Sequence, residues 1–433
     1  MVTNRIKQYS TLSNFVSSSV LVSIIGLLSG FISYRFIEPQ LIGIWATITV
    51  FEVYATIIRF GIPNGMCREL PYELGRGKIA QANCLASTTL AYSIFSSFIA
   101  LLILPLVFLV PYLNITEKKQ LICIGVLIIR ILIDPYSTYL SGTFRTNDQF
   151  DKLSRIQYIQ ATIRLASVTF IILWGFYGLL LRETIIPISN SVQLHLARPF
   201  KLRPKFNWIV FKRLFSIGFP IFIVSYTTLA IETLPRLFLI KLGNSYELGI
   251  FSPVVILINT AKLIPSAISG YLYPKLAYSW GQEADLLKLW TKTKMIFLVS
   301  LIVSFVISLL VFFGIDLIIQ LLPKYVASVP YIKIGCLSIL FIAFQLNNTL
   351  LIVLKKWRYL AILTIAYAII QISSILVLKM YMNDNLLVAT WSQVLTFSML
   401  FILSIFVTYR STHNNLSAKF PQTFILNERD HFL

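Results

Sequence analysis

Charged side chains inside long apolar stretches are the residues of this sequence that could do chemistry. Such charges cost about 2.5 kcal/mol or more at membrane depth, so they usually face a wet cavity or one another and mark function. The basic members are Arg35, Arg59, Arg130, Arg164, Arg182, Arg236, Lys262 and Lys333, and the acidic members are Glu52, Asp134, Glu183, Glu232 and Asp316. Their excess of positive charge favours a cavity that binds an anion.

Arg164 and Lys262 are the first candidates for that role. Each lies near the middle of an apolar stretch, and neither has an acidic residue three or four positions away. An uncompensated guanidinium and ammonium in a low-dielectric cavity favour a phosphate or another anion through charge-assisted hydrogen bonds. Asn259 precedes Lys262 by three residues and is expected on the same helix face.

Arg35, Arg59 and Arg130 are second candidates for anion binding. Arg35 and Arg59, like Arg182 and Lys333, lie near the ends of their apolar stretches. Long basic side chains at such positions can extend to the lipid headgroups instead of contacting a ligand. Both interpretations are open for these four residues.

Four further charged residues are candidates for ion coupling or gating: Glu52, Asp134, Glu232 and Arg236. Arg130 and Asp134 are four residues apart, as are Glu232 and Arg236, so each pair can form an ion pair within its own helix. Glu52 lies in the middle of a helix, as a proton-coupling carboxylate would.

Uncharged polar residues, among them Asn259, could contact sugar hydroxyls. Gln345 and Asn348 lie in the tenth apolar stretch and Gln371 in the eleventh. Such amides can equally hydrogen-bond to a neighbouring transmembrane helix.

The elements that carry these residues are transmembrane helices. Of the 433 residues 57% are hydrophobic and only 12% are charged, which excludes a water-soluble fold. Stretches long enough to cross a membrane predict twelve helices. They lie at about 15–37, 41–60, 82–110, 120–141, 156–174, 176–196, 214–240, 249–273, 295–321, 330–353, 359–379 and 386–409.

Basic residues in the connecting loops predict the orientation. One set of alternate loops and termini holds 24 Lys and Arg residues and the other only 5. Because Lys and Arg gather on the cytoplasmic side, both termini are expected in the cytoplasm. The net positive charge of the chain reflects this placement of basic residues in the loops, and no nucleic-acid partner is predicted.

The chain divides into two similar halves. Gly43 and Gly249 occupy matching positions in "LIGIWA" and "ELGIFS", and Pro63 and Pro265 match in "GIPNG" and "LIPSA". With six helices in each half, both copies point the same way, a parallel repeat typical of transporters with two lobes. The predicted domains are an N-terminal lobe (1–197), a basic linker (198–213), a C-terminal lobe (214–409) and a cytoplasmic tail (410–433) without assigned function.

An enzyme is disfavoured. The predicted loops on the side with few basic residues are too short for a catalytic domain, and no sequence typical of a hydrolase, metalloprotease or phosphate-binding loop is present. No metal site or bound cofactor is predicted. A drug or metabolite antiporter and a membrane glycan polymerase remain as alternatives.

The segments "SYRFIEPQLIGIWA" and "RFGIPNGMCRELPYELGRGK" resemble the polysaccharide transporter, or O-antigen flippase, family of the multidrug, oligosaccharidyl-lipid and polysaccharide exporter superfamily. The resemblance implies an all-α, MATE-like pair of six-helix bundles in a bacterial inner membrane. It also implies a polyprenyl-pyrophosphate-linked oligosaccharide as cargo, held in a cationic cavity among membrane lipids. Coupling to an H⁺ or Na⁺ gradient, and contact with a polysaccharide polymerase and chain-length machinery, are further implications.

Overall fold

The computed structural model describes residues 2–102, 105, 117–262, 265, 286–354 and 356–413. Every regular element within these ranges is a helix. In chain order the α-helices are α1 (Val2–Phe36), α2 (Pro39–Ala55), α3 (Ile62–Gly75), α4 (Ile79–Ile99), α5 (Lys118–Thr146), α6 (Phe150–Ala166), α7 (Val168–Trp174), α8 (Phe176–Leu196), α9 (Trp208–Glu232), α10 (Leu234–Leu242), α11 (245–262), α12 (Leu286–Ile318), α13 (Val329–Gly335), α14 (Leu337–Phe341), α15 (Phe344–Val353), α16 (Trp357–Tyr381) and α17 (Asn385–His413).

Ten helical segments among the described residues are apolar and long enough to cross a membrane. They correspond to ten of the twelve predicted spans. The sixth predicted span is α8, which Arg182 and Glu183 make more polar, and the eighth begins with α11 and continues beyond the described residues. The chain is therefore an all-α multi-pass membrane protein with two six-helix bundles. We refer to α1–α8 as the N-terminal lobe and to α9–α17 as the C-terminal lobe.

A non-helical segment joins the two lobes. Residues 198–207 contain no helix, and α9 begins at Trp208, inside the predicted linker of 198–213. The side chain of Asn207 caps α9 by accepting hydrogen bonds from the backbone nitrogens of Ile209 and Val210. At the other end, α17 extends to His413, and the rest of the predicted tail lies outside the described residues.

Several spans are broken rather than continuous. The second span turns at Phe60 and Gly61, which both have positive φ angles of 43° and 74°. The fifth breaks at Ser167, between α6 and α7, and the seventh breaks at Thr233, just before Pro235. An interruption of the helical hydrogen bonds at membrane depth is tolerated where the backbone is buried in protein or lines a cavity. The breaks in the fifth and seventh spans therefore mark the place to look for a site.

The lobes contact each other on the side of the membrane opposite to the basic loops, which we call the far side. A Cβ atom on Gly43 would lie 2.6 Å from the carbonyl carbon of Ser245, and one on Gly249 would lie 2.9 Å from the Cα atom of Pro39. Only glycine allows α2 and α11 to approach this closely. The two glycines that match in the sequence repeat thus meet in one contact.

Aromatic residues extend this far-side contact. The rings of Tyr34 and Tyr325 lie 4.8 Å apart between their centroids, and Tyr325 donates a hydrogen bond of 3.4 Å to the carbonyl oxygen of Ile37. The Lys324 ammonium donates another, of 3.2 Å, to the carbonyl oxygen of Phe36. The end of α1 is thereby held against the segment Pro323–Ser328 of the C-terminal lobe.

A second glycine contact joins the lobes on the side of the basic loops, which we call the basic side. A Cβ atom on Gly218 of α9 would lie 2.6 Å from the backbone nitrogen of Gly65 and still closer to the carbonyl oxygen of Gly61. The backbones of α3 and α9 are therefore in direct contact.

Polar contacts reinforce the approach of α9 to the N-terminal lobe. Arg213 forms ion pairs of 2.5 Å with Glu69 and 2.7 Å with the buried Glu73, both in α3. Farther along, the hydroxyl groups of Tyr54 and Thr233 lie 2.6 Å apart. This last hydrogen bond ties the break between α9 and α10 to α2.

Candidate functional site

A cavity of about 350 Å³ lies between the lobes, and we call it the central cavity. Helices α1, α2, α6 and α8 line it from one lobe, and α10 and α11 from the other. Its lining includes Arg164, Arg182, Arg236, Glu183 and Asn259. Three guanidinium groups against one carboxylate give the described lining a net positive charge.

Arg164 and Arg182 are held on the N-terminal side of this cavity. Arg164 lies three residues before the break at the end of α6, and its Nη1 atom would be 3.9 Å from a Cβ atom on Gly26. Arg182 is only 6% exposed. It donates hydrogen bonds to Ser29 Oγ at 2.7 Å and to Glu183 Oε1 at 2.6 Å. The Arg182 guanidinium is thus fixed before any ligand arrives.

Arg164 and Arg236 have no carboxylate at ion-pair distance within the part of the chain that the structure describes. The Nε atoms of Arg164, Arg182 and Arg236 are buried and have no hydrogen-bond partner there. A buried donor without an acceptor costs about 1–3 kcal/mol. An anionic ligand would satisfy these donors, so the arrangement is suited to a phosphate or another oxyanion.

Glu183 does not neutralise the cavity, because it is shared. Its carboxylate accepts from Arg182 and also from Arg130, at 2.6 Å. Arg130 in turn donates to Glu52 at 2.9 Å and lies over the ring of Trp45, 5.8 Å from its centroid. These residues form a connected ionic cluster that supports the N-terminal wall of the cavity.

The prediction of an ion pair within α5, between Arg130 and Asp134, is wrong. Arg130 binds carboxylates on two other helices, and Asp134 is the partner of Arg59. Spacing along one helix cannot reveal acids that packing brings closer from elsewhere. Glu52 and Asp134, predicted to couple ions, therefore each have a basic partner, and Arg59 is not available to an anion without breaking its pair.

Lys262 is not the uncompensated charge that the sequence predicted. Its ammonium forms a 2.7 Å ion pair with Glu232 of the broken seventh span, and it lies 5.1 Å from the ring centroid of Phe397. Glu232 is thus paired with Lys262, whereas Arg236 lies beyond the helix break and lines the central cavity. The pair expected between Glu232 and Arg236 is replaced by one between helices.

Lys262 and Glu232 line a separate cavity of about 560 Å³ within the C-terminal lobe, which we call the C-lobe cavity. Gln345 and Asn348 line it too, whereas Asn259 lines the central cavity. Gln371 is 1% exposed and donates to Ser392 Oγ at 3.1 Å. Asn259 and Lys262 therefore line different cavities although they are only three residues apart, and Gln371 takes the helix-packing role that the sequence left open.

Arg35 is exposed at the far-side end of α1, outside the described lining of both cavities. The central cavity also contains Arg182, for which the sequence left ligand contact and headgroup contact open, and Arg236, which it predicted for ion coupling or gating. The signals for them were present: Arg182 interrupts the apolar pattern of α8 seven residues inside the helix, and Arg236 directly follows Pro235. A proline frees backbone groups in a transmembrane helix, and such groups are tolerated where they are buried in protein or line a water-filled cavity.

Residues 32–293 match the model of a family described as polysaccharide biosynthesis protein. This match includes all of the other helices that line the central cavity but only the last five residues of α1. No curated protein sequence is significantly similar to the chain.

Solved structures with the same fold are transporters. A multidrug resistance MATE family transporter of the MOP superfamily, in an inward-facing conformation, is 11% identical with a TM-score of 0.77 and covers 94% of this chain and 100% of its own. The outward-facing conformation of such a transporter has a TM-score of 0.64 at 11% identity, covering 93% and 96%. A MOP superfamily transporter from Pyrococcus furiosus, with a binding pocket of reverse polarity, has a TM-score of 0.59 at 11% identity, covering 93% and 95%.

Proposed function

The chain belongs to the polysaccharide biosynthesis protein family, and from this premise we propose that it is a flippase for polyprenyl-pyrophosphate-linked oligosaccharides. It would carry O-antigen or capsule repeat units across a bacterial inner membrane by alternating access, with both termini in the cytoplasm. The observation that carries the proposal is the cluster of Arg164, Arg182 and Arg236 around one cavity between two lobes.

The charge of the central cavity fits the pyrophosphate group of such a lipid. Two arginines lack an ion pair in the described structure, and a pyrophosphate diester carries about two negative charges at neutral pH. Guanidinium groups bind phosphate oxygens with planar, often bidentate geometry. Each charge-assisted hydrogen bond contributes about 1.5–3 kcal/mol, so two or three of them supply the affinity that a transport intermediate needs.

The size of the central cavity limits what enters it. About 350 Å³ is at the lower end of the range of small-molecule sites and is far too small for a polyprenyl chain. The lipid tail would therefore stay in the bilayer while the charged head group crosses between the lobes. Coupling to an H⁺ or Na⁺ gradient, and contact with polymerase and chain-length machinery, are part of the same proposal.

Deletion and restoration of the gene test the proposal. Loss of the protein is expected to cause full-length lipid-linked repeat units to accumulate while surface polysaccharide disappears. Restoration with Arg164→Gln is expected to leave transport about 10- to 100-fold below the wild-type rate, because two charge-assisted hydrogen bonds to phosphate are weakened. Arg155→Gln is the matched control, since Arg155 is exposed on the same helix.

Two outcomes would contradict the proposal. Unchanged lipid-linked intermediates and polymer in a strain without another flippase would favour a drug or metabolite antiporter, which a susceptibility panel then identifies. Exported single units without polymer would favour a glycan polymerase. The cationic central cavity argues against cationic drugs, because they would need an acidic lining.

A further inference from the structure

The C-lobe cavity lies outside the arginine cluster and is the larger of the two cavities. Its described lining comes entirely from helices of the C-terminal lobe, on α9, α11, α15, α16 and α17. Lys262 lies nearer the basic-side end of α11 than Asn259 of the central cavity does, and Glu232 lies nearer the basic side along the seventh span than Arg236 does. A ligand that approaches from the basic side would reach this cavity before the central one.

The chemistry of the C-lobe cavity differs from that of the central cavity. Its only charged lining residues among those described, Lys262 and Glu232, form an ion pair. The lining therefore has no net charge to attract a phosphate. Ser225, Thr228 and Gln345 add uncharged hydrogen-bonding groups between apolar walls. This combination suits a neutral ligand rich in hydroxyl groups.

Two polar atoms of this lining are buried without a partner in the part of the chain that the structure describes. They are Oδ1 of Asn348 and the hydroxyl oxygen of Tyr367, whose side chain is only 3% exposed. The preceding residue, Asn347, instead donates a hydrogen bond of 3.1 Å to Ser404 Oγ. A buried polar group without a partner is costly, so Asn348 and Tyr367 are expected to be satisfied by a ligand.

The two cavities adjoin along the same two elements. Arg236 lines the central cavity, and Glu232, four residues earlier across the break at Thr233, lines the C-lobe cavity. On α11, Asn259 likewise lines the central cavity and Lys262 lines the C-lobe cavity. Residues three or four apart on a helix are separated by about one turn, or 5.4 Å. This is close to the distance between a pyrophosphate group and the first sugar attached to it.

We propose that the C-lobe cavity binds the oligosaccharide of the lipid-linked substrate while the arginines of the central cavity hold its pyrophosphate. This inference rests on the proposed function. It assigns Asn348 and Tyr367 as residues that contact sugar hydroxyl groups. It assigns the pair of Lys262 and Glu232 to the boundary between the two parts of the ligand.

Binding to purified full-length protein in nanodiscs tests this assignment with two probes. The first is polyprenyl pyrophosphate without sugar, and the second is lipid-linked oligosaccharide extracted from membranes of the host strain. We expect the second probe to bind more tightly to the wild type. Tyr367→Phe should lower the affinity for the second probe by about threefold to tenfold without changing that for the first, because one neutral hydrogen bond is lost.

Asn348→Leu provides an independent variant with the same expectation, and Asn347→Leu is its matched control. Because Asn347 binds Ser404, its replacement should lower thermal stability but leave the ratio of the two affinities unchanged. Tyr367→Phe removes a hydroxyl group that has no partner in the described residues, so its fold should be at least as stable as the wild type.

The outcomes separate the two proposals. If Arg164→Gln weakens both probes while Tyr367→Phe and Asn348→Leu leave their affinity ratio at the wild-type value, the oligosaccharide binds elsewhere and only this inference is overturned. If the probe without sugar does not bind, or binds equally well to Arg164→Gln, the proposed function itself is refuted.

Discussion

The glycine contacts between the lobes give the sharpest test of alternating access. A methyl group on Gly218 would lie 2.6 Å from the backbone nitrogen of Gly65, whereas ordinary contact begins at 3.4 Å. Backbone atoms cannot rotate away, so in Gly218→Ala the helices α3 and α9 must separate by at least about 0.8 Å. The variant should therefore disfavour closure on the basic side.

The size of the effect follows from the cost of overpacking, which is about 1–3 kcal/mol. Applied to a two-state equilibrium, this energy lowers the population closed on the basic side by about 5- to 150-fold. Gly249→Ala, which would meet the Cα atom of Pro39 at 2.9 Å, should act against closure on the far side instead. The two variants should shift the equilibrium in opposite directions.

Distance measurement between spin labels would detect the shift. Labels at Gly75→Cys and Ile209→Cys, both exposed on the basic side, report the separation of α3 and α9 in a background without the native cysteines. Gly218→Ala should populate longer distances than the parent, and Gly249→Ala should not. Gly314→Ala is the control, because nothing lies within 4 Å of its new methyl group. Its gain in helix propensity is the same as in Gly218→Ala, so only the clash differs between the two variants.

The reasoning fails if Gly218→Ala and Gly249→Ala change the distance distribution in the same direction. It fails equally if Gly218→Ala matches Gly314→Ala. Either result would mean that these glycines pack the lobes together without controlling which side opens.

Two further predictions concern ion pairs that line the cavities. Arg182→Lys should fold but transport at least about tenfold more slowly than the wild type. One ammonium cannot replace a guanidinium that binds Ser29 and Glu183 together. Transport rate and melting temperature, measured side by side, check this prediction. Lys262→Met should destabilise the protein by about 1–3 kcal/mol, because the partly buried Glu232 is left without its partner, and adding Glu232→Leu should restore most of that loss in an unfolding assay. If the double variant is as unstable as Lys262→Met, the pair does not determine stability.

The membrane fold could be predicted from the sequence because hydropathy acts locally. Each span needs about twenty apolar residues wherever it packs, and ten segments satisfy this in the described structure. The matching glycines of the repeat were also visible in the sequence, although their direct contact was not. Gly43 and Gly249 meet only because the two lobes face each other.

The candidate site was harder to predict, because charge pairing is a tertiary property. Arg164 was selected since no acid lies one turn away along its helix, and the structure places it in the central cavity. The same test failed for Lys262, because Glu232 approaches from another helix. It failed in the opposite sense for Arg236, which lines the central cavity while its expected partner Glu232 pairs with Lys262.

The origin of the three cavity arginines links binding to lobe movement. Arg164 and Arg182 belong to the N-terminal lobe and Arg236 to the C-terminal lobe, so an anion that contacts all three bridges the two lobes. A ligand shifts a conformational equilibrium only through its different affinity for the two states. Any movement that separates the lobes at this level removes Arg236 or the other two from the anion. The affinity for the proposed pyrophosphate ligand must then fall in that state, so an arrangement that bound this head group would also supply the energy difference that moves it.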